Sequence, residues 1–184
     1  MLINTTELVP QYIEKIFDAL LKGNFINENS SKQGYAELYN VIDNQEAQIR
    51  AYFKPFRYNL IRRAGYFYFV HDSENQSNAT LEMLVDYIDI ANFLKTVDSN
   101  FQVAFKFKLS SIENKLSDSL ELQDLAFKMK GINAKDNREF VQKIVDKLRK
   151  NGFVEEHNSK HAEYIVLNSY DYVEQLLREV EIYE

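Results

Sequence analysis

The stretch RYNLIRRAGYFYFV, residues 57–70, reads as a β-hairpin. In the first arm Tyr58, Leu60 and Arg62 alternate with Asn59 and Ile61. The second arm, Tyr66 to Val70, is almost wholly aromatic and β-branched, the residue types that suit a pleated, half-buried strand. Ala64-Gly65 supplies the turn between them. A period of two places Tyr66 and Tyr68 on one face and Phe67 and Phe69 on the other. If the phenylalanines fill a core, the tyrosines either offer a surface to a protein partner or lie under neighbouring helices. Both readings are open at this level.

Three helices are expected before the hairpin. The first spans about Val9 to Leu21, with Pro10 in its first turn, Ile13, Ile16, Phe17, Leu20 and Leu21 at helical spacing, and Gly23 after its end. The short apolar segment Phe25-Ile26 follows. The second helix runs from about Ser31 to Ile42, carrying Tyr35, Leu38, Tyr39 and Ile42. The third runs from Gln45 to Lys54 and is stopped by Pro55. Three helices and a two-stranded hairpin are the layout of a winged helix.

After the polar run HDSENQSN, residues 71–78, the layout recurs. A helix is expected from Leu81 to Val97, with Leu84, Val85, Ile88, Ala91, Phe93 and Leu94 inward. The alternating segment Phe101 to Lys108 predicts a strand. Ser110-Ser111 with Glu113 predicts a capping box opening a helix through Ile112 and Leu116. Leu120 to Met129 is expected to be helical. Asp136 or Asn137 caps a further helix, on which Phe140, Val141, Ile144, Val145 and Leu148 share a face. Asn151-Gly152 ends it. A second hairpin, Phe153–Glu156 and Ala162–Leu167, precedes a terminal helix opened by Ser169 or Asp171. The expected organisation is a first winged-helix unit at 1–72, a linker at 73–80, and a second winged-helix unit with a C-terminal helix at 81–184. The fold class is mainly α with small β hairpins (α+β), as tandem winged-helix domains.

Composition narrows the functions. The chain has 184 residues, a net charge of −6 and no cysteine. Disulfides and thiolate metal sites are excluded, and the acidic balance does not suit wholesale coating of nucleic acid. No signal peptide or membrane-length apolar run is read, so a cytoplasmic protein is expected. No phosphate loop, nucleophile elbow or zinc-protease motif occurs, and no cofactor is expected. His157 and His161 flank the second turn and read as solvated residues rather than metal ligands. The basic helix is the exception to the acidic chain. Its Lys143, Lys147, Arg149 and Lys150 are candidates for DNA phosphate contact, against the simpler reading of a solvated face. Tyr66 and Tyr68 are the candidate protein interface.

The segments Leu21-Lys-Gly-Asn-Phe-Ile26, Ala51-Tyr-Phe53 and Leu60 through Phe69 resemble the first unit of the MukE/MksE family, the small subunits of bacterial condensins. Leu148-Arg-Lys-Asn-Gly-Phe-Val154 and the hairpin to Leu167 are similar to the second unit. The resemblance covers roughly Val9 to Val180. The short chain, without an acidic tail, is more like MksE. The equivalent subunit of Wadjet plasmid-defence complexes shares the architecture. The resemblance implies a non-catalytic, homodimeric accessory subunit that binds a kleisin and, through it, an SMC-type ATPase. It implies nucleoid association, a role in chromosome condensation and segregation, and DNA contact inside the assembled machine. The competing reading is a free-standing winged-helix transcription regulator.

Overall fold

A computed structural model describes residues 10–21, 24–72, 78–129 and 131–181. The chain divides into two compact units, Met1–Asn75 and Gln76–Glu184.

In the first unit, α1 (Pro10–Leu21) leads to the short strand β1 (Ile26–Asn27) and then to α2 (Tyr35–Phe53). A single 3-10 turn, Lys54–Phe56, connects α2 to the hairpin β2 (Tyr58–Arg63) and β3 (Tyr66–His71). The two helices expected at 31–42 and 45–54 are therefore one element, broken in its middle. Gln45 sits at φ −128°, ψ 27°, outside the helical range, so the axis kinks there. Charges hold the kink. Asp43 lies before it and Glu46 after it, and Arg62 of β2 reaches both, at 2.6 and 2.9 Å. Arg50, one turn on, bonds Glu46 at 2.6 Å and donates to the Leu60 carbonyl.

The kink lets both halves of α2 pack on one core. Ile13, Ile16 and Leu20 of α1 meet Leu38, Tyr39 and Ile42 of the first half and Ile49 and Phe53 of the second. Leu60 and Phe67 close the core from the sheet. Phe53 stacks on Phe17 at 5.6 Å and meets Phe69 edge-on at 4.9 Å. Side chains of this size contribute about 1.5–3 kcal/mol each when fully buried. The sheet order is β1-β3-β2, all antiparallel. Gly65 takes φ +79° in the turn, a conformation glycine adopts without steric penalty.

The second unit repeats this order with insertions. It runs α3 (Asn78–Val97), β4 (Lys106–Lys108), α4 (Leu109–Asp118), α5 (Leu120–Lys128), α6 (Asn137–Lys150), β5 (Val154–Asn158), β6 (Glu163–Val166) and α7 (Tyr170–Glu181). Its sheet order is β4-β6-β5, the same pattern as in the first unit. Both units therefore combine helices with a small three-stranded antiparallel sheet, which makes the fold mainly α with small β hairpins.

Several local expectations need correction. Helix α3 opens at Asn78, inside the stretch read as linker, while residues 73–77 and Gly23 lie outside the described ones. Its buried face is Tyr87, Ile90, Ala91, Phe93, Leu94 and Val97, whereas Val85 points outward at 56% exposure. The side chain of Leu84 lies outside the described residues. The strand read from Phe101 contracts to three residues, because Ala104 turns the chain at φ +67°. Phe101 leaves the sheet and becomes a core hub, 5.2 Å from Phe107 and 5.6 Å from Tyr170. Helix α4 starts at Leu109, so Ser110 and Ser111 fall inside its first turn and the expected capping box does not form. Lys108 stands at the cap position with no side-chain hydrogen bond.

Helix α6 follows its expectation closely. Asp136 caps it, accepting from the Glu139 N–H at 2.7 Å, and Glu139 in return accepts from the Lys135 N–H at 2.8 Å. Phe140, Val141, Ile144, Val145 and Leu148 are all buried. At the far end Gly152 takes φ +74°, and the Phe153 N–H bonds the Leu148 carbonyl at 2.9 Å. This is the left-handed helix ending that glycine favours.

Candidate functional site

Four cations of α6 were candidates for phosphate contact. Three of them are engaged inside the second unit. Lys143 bonds Glu139 at 2.9 Å and donates to the Asn133 carbonyl. Lys147 reaches across to Asp86 of α3 and sits 5.7 Å from the centre of the Tyr87 ring. Arg149 pairs with Asp146 at 3.0 Å. Lys150 alone of the four is exposed with no carboxylate within salt-bridge distance among the described residues. The helix is thus less cationic toward solvent than its sequence suggests. These cations balance carboxylates of α3 and α6 itself.

The tyrosine pair also needs revision. Tyr66 is completely buried, 5.6 Å edge-on from Phe25 and 6.1 Å from Tyr68. Tyr66 and Tyr68 do share a face, as the strand period requires. That face is roofed by Phe25, beside β1, so Tyr66 is a core residue and Tyr68 is half-buried. Tyr66 is covered by Phe25, a residue outside any helix.

The exposed aromatics of the first unit lie elsewhere. Tyr52 and Phe56 are 47% and 58% exposed at the end of α2. With Ile13, Phe17 and Phe53 they line a shallow apolar groove of about 280 Å³, edged by Glu14. The helical spacing of residues 45–54 predicts Ile49, Tyr52 and Phe53 inward, but Tyr52 is exposed. The 3-10 turn after Phe53 rotates Phe56 outward, and no local motif announces that. In the second unit Leu120 and Phe127 of α5 are 79% and 89% exposed, one heptad apart.

A second concavity lies between α4, α6 and the second hairpin, with a volume of about 380 Å³. Lys108 and Ser110 enter it from the start of α4, Arg138 and Gln142 from α6, and His161 from the hairpin turn. The turn is shaped by a register shift between Glu156 and Asn158 and by Ala162 at φ +46°. Lys108, Arg138 and His161 have no carboxylate within salt-bridge distance among the described residues. Glu113 is the one carboxylate on the lining. His161 was read as a solvated turn residue, and it is exposed. No group of three or more metal-ligating side chains occurs among the described residues. No helix among them is long and apolar enough to cross a membrane.

Both units thus carry exposed aromatic side chains, and the basic helix of the second is largely paired with carboxylates of that unit. The comparison with known families gives the chain a class. A family model matches residues 11–177, nearly the whole chain, and it describes a condensin complex protein. The class is therefore that of accessory subunits of condensin. Within it, the chain belongs to the MksE family. No curated protein matches the chain.

Proposed function

We propose that this chain is a non-catalytic accessory subunit of an SMC-type bacterial condensin. Its two winged-helix units, to residue 72 and from residue 81, serve mainly to hold partners. It works in the cytoplasm as a homodimer, binds the kleisin subunit, and through it joins the SMC ATPase in chromosome condensation and segregation. The observation that carries this reading is the family match over residues 11–177. The repeated strand order, β1-β3-β2 and β4-β6-β5, supports the winged-helix assignment, since each first strand pairs with the returning arm of its hairpin. The exposed Tyr52 and Phe56 support partner contact, because aromatic residues are enriched at protein interfaces. Neutralisation of α6 weighs against a free-standing regulator that reads bases with that helix, as the side chains it would use are already committed.

The test is purification of the tagged chain from its native cells under gentle conditions. Co-recovery of a kleisin and an SMC ATPase in fixed proportion is expected. Recovery of the chain free of both, together with site-selective DNA binding by the purified protein, would replace the subunit reading with the regulator.

A further inference from the structure

We propose that the concavity between α4, α6 and the second hairpin is a binding site for a phosphate group, with the backbone of DNA as its source. The DNA assignment rests on the winged-helix reading above. The site itself rests on the geometry of the second unit.

The hollow collects donors from three separate elements. Lys108 brings an ammonium, Arg138 a guanidinium fork, Ser110 a hydroxyl and His161 a ring nitrogen, while the Gln142 amide on the same wall already donates to Asp146 at 3.0 Å. Donors converging from several directions suit a tetrahedral acceptor with oxygens on every side, and the guanidinium fork matches phosphate geometry. Lys108 and Arg138 have no ion pair among the described residues, in contrast to Lys143, Lys147 and Arg149 of α6. Glu113 opposes them as a single carboxylate, so the positive charge still exceeds the negative. The start of α4 adds to the same point. That helix has ten residues, and no side chain caps its first N–H groups, which carry partial positive charge. The position matters as well. In a winged helix α6 takes the place of the recognition helix and the β5–β6 hairpin that of the wing. A phosphate held between them lies where a DNA strand would pass. The site thus moves from the C-terminal lysines of α6 to its first turn.

The experiment has two arms, both on the full chain. In the first, binding of labelled duplex DNA is followed by fluorescence anisotropy across a salt series. The variants are Arg138→Gln, Lys108→Gln and, for comparison, Arg149→Gln. Arg138 and Lys108 are exposed, so unchanged thermal melts are expected. Loss of one phosphate contact flattens the dependence of log affinity on log salt by about 0.9. Arg138→Gln and Lys108→Gln should each do so, and Arg149→Gln should not. In the second arm, inorganic phosphate is titrated into the labelled protein while amide resonances are recorded. Shifts at Ser110, Ser111 and Arg138, abolished in Arg138→Gln, are expected. Phosphate shifts with an unchanged DNA slope would keep the phosphate site but assign it to a free phosphate or phosphorylated small molecule. An unchanged slope together with no shift at these amides would overturn the site. Recovery of kleisin and SMC protein by the parent chain is followed in parallel. Its failure in the parent would sink the subunit reading and leave the phosphate result standing.

Discussion

Lys147 decides between two pictures of α6, and a double-mutant cycle with Asp86 separates them. The pair joins α6 to α3 across 61 positions of sequence. The Lys147 side chain is 28% exposed and that of Asp86 38%. Solvent therefore screens the attraction, and a pair of this kind contributes about 0.2–1 kcal/mol in coupling. The Tyr87 ring, 5.7 Å from the ammonium, adds a cation–π contact of roughly 0.5–1 kcal/mol. Lys147→Gln should thus lose both contributions, about 0.7–2 kcal/mol together. Asp86→Asn should lose only the first. The double variant should fall short of the sum by the coupling. The chain has no tryptophan, so native-state hydrogen exchange at the Ile144 and Val145 amides is the sharper assay, reporting opening of α6 residue by residue. DNA binding of the same variants should keep its salt slope. A coupling near zero, combined with a slope flattened by about 0.9 in Lys147→Gln, would refute the reasoning. It would show that this lysine serves an external phosphate rather than the inside of the unit.

Other expectations follow from single contacts. The hydroxyl of the fully buried Ser169 donates to the Gly152 carbonyl at 2.6 Å; Ser169→Ala should lose about 1–3 kcal/mol in urea unfolding. Hydrogen bonds from Arg62, then Arg50, hold the Glu46 carboxyl below its usual range. A carboxyl lowered by folding stabilises above its unfolded value, about pH 4.3, and that contribution disappears as pH falls through the folded value. Stability of the parent should therefore drop more steeply in acid than that of Glu46→Gln, as chemical unfolding at stepped pH would show. Phe127, 89% exposed on α5, is packed on little, so Phe127→Ser should leave stability within about 0.5 kcal/mol of the parent. A larger loss on calorimetry would mean that this ring is covered in solution.

Much of the architecture was legible in the chain. The helical period alone places Ile13, Ile16 and Leu20 inward on α1 and the five apolar residues inward on α6, because a stripe of that width has one stable orientation against a core. Turn chemistry located both hairpins. Other features depend on contacts that no local window contains. The kink at Gln45 is held by Arg62, which comes from a strand not yet formed when α2 is read in isolation. Val85 is apolar and exposed because helical phase counts only once the neighbours are in place. Tyr66 is covered by Phe25, a residue distant in sequence that period-two reasoning never meets. The candidate site shows the same limit. Sequence reveals that α6 is rich in lysine. It does not reveal which lysines find carboxylates at home, and the concavity at Arg138 exists only after three distant segments converge.

The strands at the margins of the two sheets have a consequence for how such a chain survives before assembly. β2 and β5 each stand last in their sheet order. An open margin of this kind is a template for uncontrolled strand addition, and charge is the usual deterrent. β2 carries Arg62 and Arg63, while β5 carries Glu155, Glu156 and His157. Arg62 is balanced by Asp43 and Glu46, so Arg63 on one margin and the two glutamates on the other are the charges that disfavour pairing with the same strand of a neighbouring molecule. A newly made chain is thereby kept from growing into sheets with its siblings during the interval before it meets its partners.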